Sequence, residues 1–166
     1  QLSAQFSQNV LDATDAFSLY FGEDEVSGCL KGLPEDALAM FQAAAQSEGK
    51  SGYKIGLQMP HYIAVMTYAD NRELREKVYR AYATRASELG NADWDNTPII
   101  NRILEIALEE ARLLGYKNYA ELSLVTKMAD TPAQVLDFLH DLAKRAKPYA
   151  EKDFAEMREF AAKNLG

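Results

Sequence analysis

The two histidines are the residues of this sequence best suited to metal or acid–base chemistry. They are His61 and His140. A hydrolase built on H-E-x-x-H needs two histidines one helical turn apart, so that both imidazoles reach one zinc ion while the glutamate activates water. His61 begins the run H-Y-I-A-V and His140 begins H-D-L-A-K, so neither belongs to that motif. We therefore expect structural roles for both, and we predict no metal ligand and no catalytic residue in this chain.

Pairs of carboxylates are the second candidates, since two neighbouring acids can share general acid–base work. The pairs are Glu109 with Glu110 and Asp137 with Asp141. Lysines and arginines are interleaved with these acids, which is typical of a solvated helix face. The motifs G-x-G-x-x-G, G-x-x-x-x-G-K-[ST] and G-x-S-x-G do not occur in the sequence. There is therefore no case for dinucleotide binding, phosphate binding or a serine hydrolase.

The tyrosines are the remaining candidates, because an amphipathic ring suits a packed core and also the edge of a groove that holds a peptide. The segment from Tyr53 to Tyr68 has more aromatic and β-prone residues than a surface loop needs. We predict that Tyr62 and Tyr68 contact a bound peptide. The sequence leaves open the alternative that they fill the core. The same two roles are open to Tyr79, Tyr82, Tyr116 and Tyr119.

Composition and charge limit the class of protein. The chain has 166 residues, of which 48% are hydrophobic, and a net charge of −7, as expected for a globular domain. Residues 1–50 have 8 acidic and 2 basic residues, and no basic stripe for nucleic acid is visible. No apolar run is long enough to span a membrane, and no signal-peptide pattern occurs. The single cysteine, Cys29, excludes an internal disulfide and fits a reducing compartment.

The stretch from Thr97 to Asp130 has the clearest helical pattern. Thr97 is a candidate N-cap and Pro98 suits the first helical position. Gly115 is a candidate left-handed cap, and a second helical segment follows from Asn118 to about Lys127. Because the connection is so short, we expect the two helices to fold back on each other and to form the centre of the domain. The predicted apolar stripe of the first helix is Ile100, Leu104, Ala107, Leu108 and Ala111.

The remaining pattern predicts a mainly α, multi-helical domain of six or seven helices with at most a small two-stranded β ribbon. The ribbon strands are predicted at 17–21 and 53–57, where aromatic and alternating residues occur. A capping box opens a helix that is predicted to run from Asp70 to about Leu89, with Leu89 buried. No linker divides the chain, so we predict one domain over 1–166. Further helices are predicted at 3–14, 34–49, 60–68 and from Thr131 to the end, with a kink at Pro148.

Three blocks of sequence resemble the zinc metallopeptidases of the thimet oligopeptidase family. They are A-R-L-L-G-Y-K-N-Y-A-E-L-S-L-V-T-K-M-A-D-T-P at 111–132, Y-A-D-N-R-E-L-R-E-K-V-Y-R-A-Y-A-T-R-A-S at 68–87, and N-V-L-D-A-T-D-A-F-S-L-Y near the start. In that family the zinc motif lies C-terminal to the matching region. The resemblance therefore implies a catalytically inactive fragment, excised from a longer zinc-dependent endopeptidase.

The resemblance also implies what the longer protein does. It would hydrolyse short peptides in the cytoplasm, with zinc bound outside this fragment. The fragment would help to form the wall of the substrate channel, facing the missing C-terminal catalytic region. If so, one of its surfaces should expose an apolar patch larger than a free monomer tolerates, and we expect that patch in the segment from Tyr53 to Tyr68. Neither nucleic acid nor a membrane is expected as a partner.

A non-enzymatic helical interaction module is the competing interpretation. Thr97-Pro98 and Thr131-Pro132 are 34 residues apart, which is the period of tetratricopeptide (TPR) repeats. The tryptophan–leucine–glycine–tyrosine spacing of that repeat is not met, and there is no second copy. An H-E-x-x-H motif encoded beyond Gly166 would decide for the peptidase, and a nearby stop codon would decide for a TPR-like scaffold.

Overall fold

Helices dominate the regular structure of residues 1–165, the part of the chain that this computed structural model describes. Within that part there are seven α-helices and one antiparallel sheet of two strands, so the predicted fold class is confirmed. The helices are α1 (Leu2–Ala16), α2 (Glu35–Gln46), α3 (Met59–Tyr68), α4 (Arg72–Thr84), α5 (Thr97–Leu113), α6 (Tyr119–Leu124) and α7 (Pro132–Asn164). The strands are β1 (Leu19–Phe21) and β2 (Tyr53–Ile55).

Contacts along the chain define two compact units, Gln1–Ile103 and Leu104–Gly166, where the sequence predicted one domain. The first unit contains a hydrophobic cluster drawn from α2, β2, α3, α4 and the loops between them. Burial of such side chains is the main favourable term in folding, so this cluster is what holds the first unit together. Its largest fully buried side chains are Leu30, Phe41, Ile55, Leu57, Val65 and Val78.

The two strands form the predicted ribbon. Leu19 lies opposite Ile55 and Phe21 lies opposite Tyr53. An isolated pair of strands is marginally stable, but β2 also packs against α2, where Ile55 joins the core. Helix α2 follows Pro34 and has Glu35 and Asp36 in its first turn, where acids interact favourably with the helix dipole.

Helices α3 and α4 pack against each other and complete the core of the first unit. Asn71 caps α4 by accepting a hydrogen bond from the Leu74 amide at 3.0 Å. The helix ends at Thr84 rather than near residue 89, because Arg85 is extended and Ala86 has a φ of 51°. Leu89, predicted to be buried, is therefore beyond the helix and 74% exposed, so that prediction is wrong.

A pair of asparagines connects α1 to the segment before α5. The Asn9 side-chain amide donates to the Asn96 side-chain oxygen at 2.9 Å, and both residues are buried. The Asn96 amide donates in turn to the Phe6 carbonyl at 3.1 Å. Buried polar groups are tolerated when they are hydrogen-bonded, so this pair fixes how α1 packs within the first unit.

The second unit is built on α6 and α7. Asn118 caps α6 at the Glu121 amide, 3.0 Å away, and Thr131 caps α7 at the Gln134 amide, 3.2 Å away. Helix α7 has 33 residues and continues through Pro148. None of the described residues of α6 and α7 is buried. No helix within residues 1–165 is long and apolar enough to cross a membrane.

The prediction that residues 97–130 form the centre of the domain is wrong. The buried cluster lies between residues 30 and 78 instead. Of the stripe predicted for α5, Ala111 is buried, but Ile100 and Leu104 are 44% and 63% exposed. Periodicity identifies an apolar face correctly, but it does not show whether the surface that covers this face is part of the chain.

Candidate functional site

Tyr62 and Tyr68, the two predicted peptide contacts, lie on α3 but on different faces. They are six positions apart, which corresponds to a rotation of about 240° around a helix. Tyr62 is partly buried and stacks on Tyr82 of α4, with ring centroids 4.1 Å apart and an interplanar angle of 26°. Such stacking adds to the apolar area that the rings bury. Tyr62 therefore packs α3 against α4, which is the alternative role that the sequence left open.

Tyr68 lies at an open groove between α2 and α3. The groove has a volume of about 240 Å³, and Tyr68 is 52% exposed beside it. Met40 of α2 and Ile63 of α3 supply apolar surface in the same groove. The structure thus brings Tyr68 together with Met40 and Ile63, and it does not bring Tyr62 to them. Sequence reasoning missed Met40 and Ile63. The only signal for Ile63 is that α3 is apolar on all sides, which leaves some apolar residues outside the core.

His61 is a packed residue of the first unit. Its side chain is 8% exposed, and its ring meets the Phe41 ring edge-on with centroids 4.9 Å apart. Nδ1 accepts a hydrogen bond from the Gly56 amide at 3.0 Å, so the neutral ring carries its proton on Nε2. Burial lowers the pKa of His61, and the charge of Lys54 lowers it further. This neutral histidine closes the turn between β2 and α3.

His140 and the acid pairs are surface residues of the second unit. His140 is exposed on α7. Asp141 forms an exposed salt bridge with Arg145 at 2.8 Å, and Glu109 and Glu110 are exposed on α5. No group of three histidine, cysteine, aspartate or glutamate side chains within residues 1–165 is arranged to hold a metal ion. The described residues therefore do not fit the zinc site that the resemblance implies for the longer protein.

A charged cluster beside the ribbon was not predicted. The Glu48 carboxylate accepts hydrogen bonds from Lys54, from the Tyr20 hydroxyl at 2.5 Å and from Lys50 at 3.4 Å. The Lys50 ammonium also lies 3.7 Å from the centre of the Tyr20 ring. The bond from Lys54, followed by the one from Tyr20, lowers the pKa of Glu48 to about 2. The carboxylate is thus held ionised, and it connects the segment after α2 to both strands.

Comparison with known proteins defines the class to which these units belong. Residues 65–166 match the family model described as Peptidase family M3. Because the match covers more than half of the chain, the chain belongs to peptidase family M3. The resemblance of the blocks at 68–87 and 111–132 to metallopeptidases of this kind is thereby confirmed at the level of the family.

The relatives identify a narrower group. The chain is 52% identical to Oligopeptidase A of Haemophilus influenzae over 168 residues, which cover 100% of this chain and 24% of that protein. It is 51% identical to Oligopeptidase A of Escherichia coli over 169 residues, with the same two shares. It is also 43% identical over 173 residues to Probable cytosolic oligopeptidase A of Arabidopsis thaliana. The chain spans about a quarter of the length of these curated relatives.

Proposed function

We propose that this chain is a helical part of a longer zinc-dependent endopeptidase that hydrolyses short peptides, similar to Oligopeptidase A. The observation that carries the proposal is the 52% identity to Oligopeptidase A of Haemophilus influenzae across the whole of this chain. The stacked Tyr62 and the buried Asn9 and Asn96 belong to a packed scaffold rather than to a reactive centre.

Zinc and the catalytic groups belong, in this proposal, to the part of the longer protein outside residues 1–166. A zinc ion bound there would activate water and polarise the peptide carbonyl. Because residues 1–165 contain no suitable ligand cluster, this chain alone is expected to have no peptidase activity. Its own contribution is to form part of a channel wall that admits short peptides and excludes folded proteins.

The groove beside Tyr68 is the proposed point of contact between this wall and a peptide. Met40 and Ile63 offer apolar surface, and Tyr68 adds an aromatic side chain to the lining. The core beneath α2 and α3 holds this surface in place, so little order has to be gained when a peptide binds. Of the two tyrosines that the sequence predicts as peptide contacts, only Tyr68 lines this groove, so Tyr68 is the proposed contact.

The alternative of a TPR-like interaction module is less well supported, because family membership already explains the sequence pattern. A cytoplasmic location is part of the proposal. The single cysteine, Cys29, is a free thiol that is partly buried, and one relative is named as a cytosolic enzyme. Both fit a reducing compartment.

The experiment that tests the proposal compares two proteins. The first is the product of the gene read beyond Gly166, and the second is the 166-residue chain. We expect the longer protein to cleave a quenched peptide of about ten residues, to lose this activity with a chelator and to regain it with zinc. We expect no turnover by the 166-residue chain with added zinc. Chelator-sensitive cleavage by the short chain, or an inactive longer protein without an H-E-x-x-H motif, would contradict the proposal.

A further inference from the structure

The accessible surface of the chain is larger than a compact protein of its mass would have. Its accessible surface is 12,011 Å² for a mass of 18.5 kDa. A compact monomer of that mass exposes about 8,200 Å², and two separate compact units with the lengths found here would expose about 9,800 Å². The excess is therefore not explained by the division into two units. The chain therefore exposes more surface than compact packing of its two units would leave.

A long uncovered apolar surface runs along one side of α7. We call it the α7 face and define it by Leu139, Leu142, Ala146, Tyr149, Met157 and Phe160, which recur at helical spacing. Excluding Ala146, these residues are 47% to 73% exposed. Together they expose on the order of 600 Å², the upper limit of the largest apolar patch on an ordinary monomer. Leu136 and Phe154, 54% and 57% exposed, extend the patch along one border.

The other side of α7 is charged and exposed to solvent. Its charged side chains form exposed salt bridges one helical turn apart, including Asp141 with Arg145 at 2.8 Å and Glu159 with Lys163 at 2.6 Å. Exposed pairs of this kind contribute little to stability but keep a helix face solvated. A helix that is charged on one side and apolar on the other is expected to bury its apolar side against another element.

Asp153 interrupts the α7 face. It lies one helical turn after Tyr149 and one turn before Met157, within the apolar stripe, and it is exposed. Within residues 1–165, no lysine or arginine forms a salt bridge with it. A carboxylate buried without a partner is strongly destabilising, so a surface that covers the α7 face needs a positive charge or hydrogen-bond donors at this point, and a positive charge gives the stronger partner.

We propose that the α7 face is the docking surface for the rest of the longer chain. The occupant is an apolar surface from the three quarters of the longer protein that this chain does not include, with a lysine or arginine opposite Asp153. The relatives support this choice, because the matched segment is only 24% of their length. A longer protein of that size would contain enough further residues to cover the α7 face. The inference depends on one part of the proposed function, namely that this chain belongs to a longer protein. It does not depend on that protein being a peptidase.

The uncovered apolar surface on α7 lies outside the segment in which the sequence predicts it. The sequence predicts the patch in the segment from Tyr53 to Tyr68, but in that segment Tyr53 is packed against the core and Ile55 is fully buried. Its exposed large apolar residues are Met59, Ile63 and Tyr68, and the last two line the small groove beside α2. The α7 face is longer, although Asp153 interrupts it, so it is the better candidate for a surface that is covered in the complete protein.

Thiol accessibility in the longer protein tests the proposal without reference to activity. Starting from a variant with Cys29 and all other cysteines replaced by serine, single cysteines are introduced as Leu142→Cys and Met157→Cys on the α7 face. Lys144→Cys and Glu159→Cys on the outer side of the same helix are the matched controls. We expect a maleimide to label the face positions at least about 100-fold more slowly than the controls. Equal rates at the face and control positions overturn the proposal.

The same labelling separates the other possible occupants. Protection that is lost when the protein is diluted to a monomer would assign the face to a second copy. Protection that appears only after a peptide is added would assign it to the substrate. Either result overturns the proposal, whereas an inactive protein with protected face positions contradicts the proposed function alone.

The charge at Asp153 has its own test. In the longer protein, Asp153→Asn is expected to lower the melting temperature by at least twice as much as Asp141→Asn, because only Asp153 would lose a covered ion pair. Asp141→Asn is the matched control, since its salt bridge with Arg145 is exposed. An unchanged or raised melting temperature for Asp153→Asn would overturn the predicted positive charge in the occupant.

Discussion

Two tyrosines on one short helix have different surroundings, and substitution should separate their roles. We expect Tyr68→Ala in the longer protein to raise KM for a short peptide about fivefold, because one aromatic contact contributes about 1 kcal/mol. We expect Tyr62→Ala to leave KM unchanged and to lower the free energy of unfolding by about 2 kcal/mol, because it removes the ring stacked on Tyr82. Peptide kinetics and denaturant unfolding measure the two effects.

An exposed tyrosine outside the groove provides the control. Tyr79 of α4 is 53% exposed, close to the 52% of Tyr68, but it does not line the groove. Tyr79→Ala should therefore leave both KM and stability nearly unchanged. If Tyr62→Ala changed KM while Tyr68→Ala did not, the assignment of the groove would be wrong.

The cluster around Glu48 makes stability depend on pH in the acid range. The pKa of this carboxyl group is lowered from its ordinary value of 4.5 to about 2 in the folded chain. A lowered pKa means that the unfolded chain binds the proton more tightly, so the contribution to stability is full above pH 4.5 and is lost towards pH 2. We therefore expect the difference in melting temperature between the wild type and Glu48→Gln to shrink as the pH falls from 6 to 2.

Tyr20→Phe serves as the partial control for the Glu48 cluster. It removes the hydroxyl donor at 2.5 Å but leaves the two lysines in place. Its effect should have the same pH dependence as that of Glu48→Gln and a smaller size. A Glu48→Gln difference that stayed constant over this range would show that the carboxylate is not held by these donors.

Turns between elements are where backbone geometry limits the sequence most strictly. Gly32 has a φ of 90°, and a Cβ there would overlap the Tyr68 carbonyl and lie 2.9 Å from the Asp70 amide nitrogen. Gly49 has a φ of 71° with open space around it. A left-handed conformation costs an L-residue about 1–2 kcal/mol, and forcing atoms into a packed site costs about 1–3 kcal/mol more.

These two glycines form a matched pair for a stability measurement. Gly49→Ala should lower the free energy of unfolding by about 1 kcal/mol, through the backbone conformation alone. Gly32→Ala should lower it by about 2–5 kcal/mol, because the turn after Lys31 must also move away from the end of α3. Urea unfolding of the two variants gives the comparison. Equal losses would mean that the close approach at Gly32 relaxes at no cost.

The sequence predicts elements better than it predicts their surroundings. Caps and periodicity located the helices and the ribbon within a few residues, because these signals depend on neighbours along the chain. The Glu48 cluster could not be predicted, since Tyr20 and Glu48 are 28 positions apart and only the pairing of the ribbon brings them together. The roles of Tyr62 and Tyr68 also depend on which helix face meets the core, and α3, apolar on all sides, does not encode that choice.

At the scale of the whole molecule, the sequence shows apolar faces but not which of them are covered. The stripe on α5 and the α7 face have the same periodicity as a buried helix, yet Leu104 is 63% exposed and Tyr149 is 73% exposed. The relatives are about four times as long as the matched segment, and in the proposed longer protein the cover for these faces comes from outside this chain. A covering surface outside the chain leaves no local signal within it.

Pro148 makes the middle of α7 easier to open locally than the rest of the helix. Proline has no amide hydrogen, so the carbonyl of Lys144, one turn earlier, lacks its normal helical partner. The lengths before and after this turn, each about 16 residues, can therefore fray and re-form with some independence. Amide hydrogen exchange should be fastest around this turn, and a partner that grips one length of the helix would slow exchange in that length first.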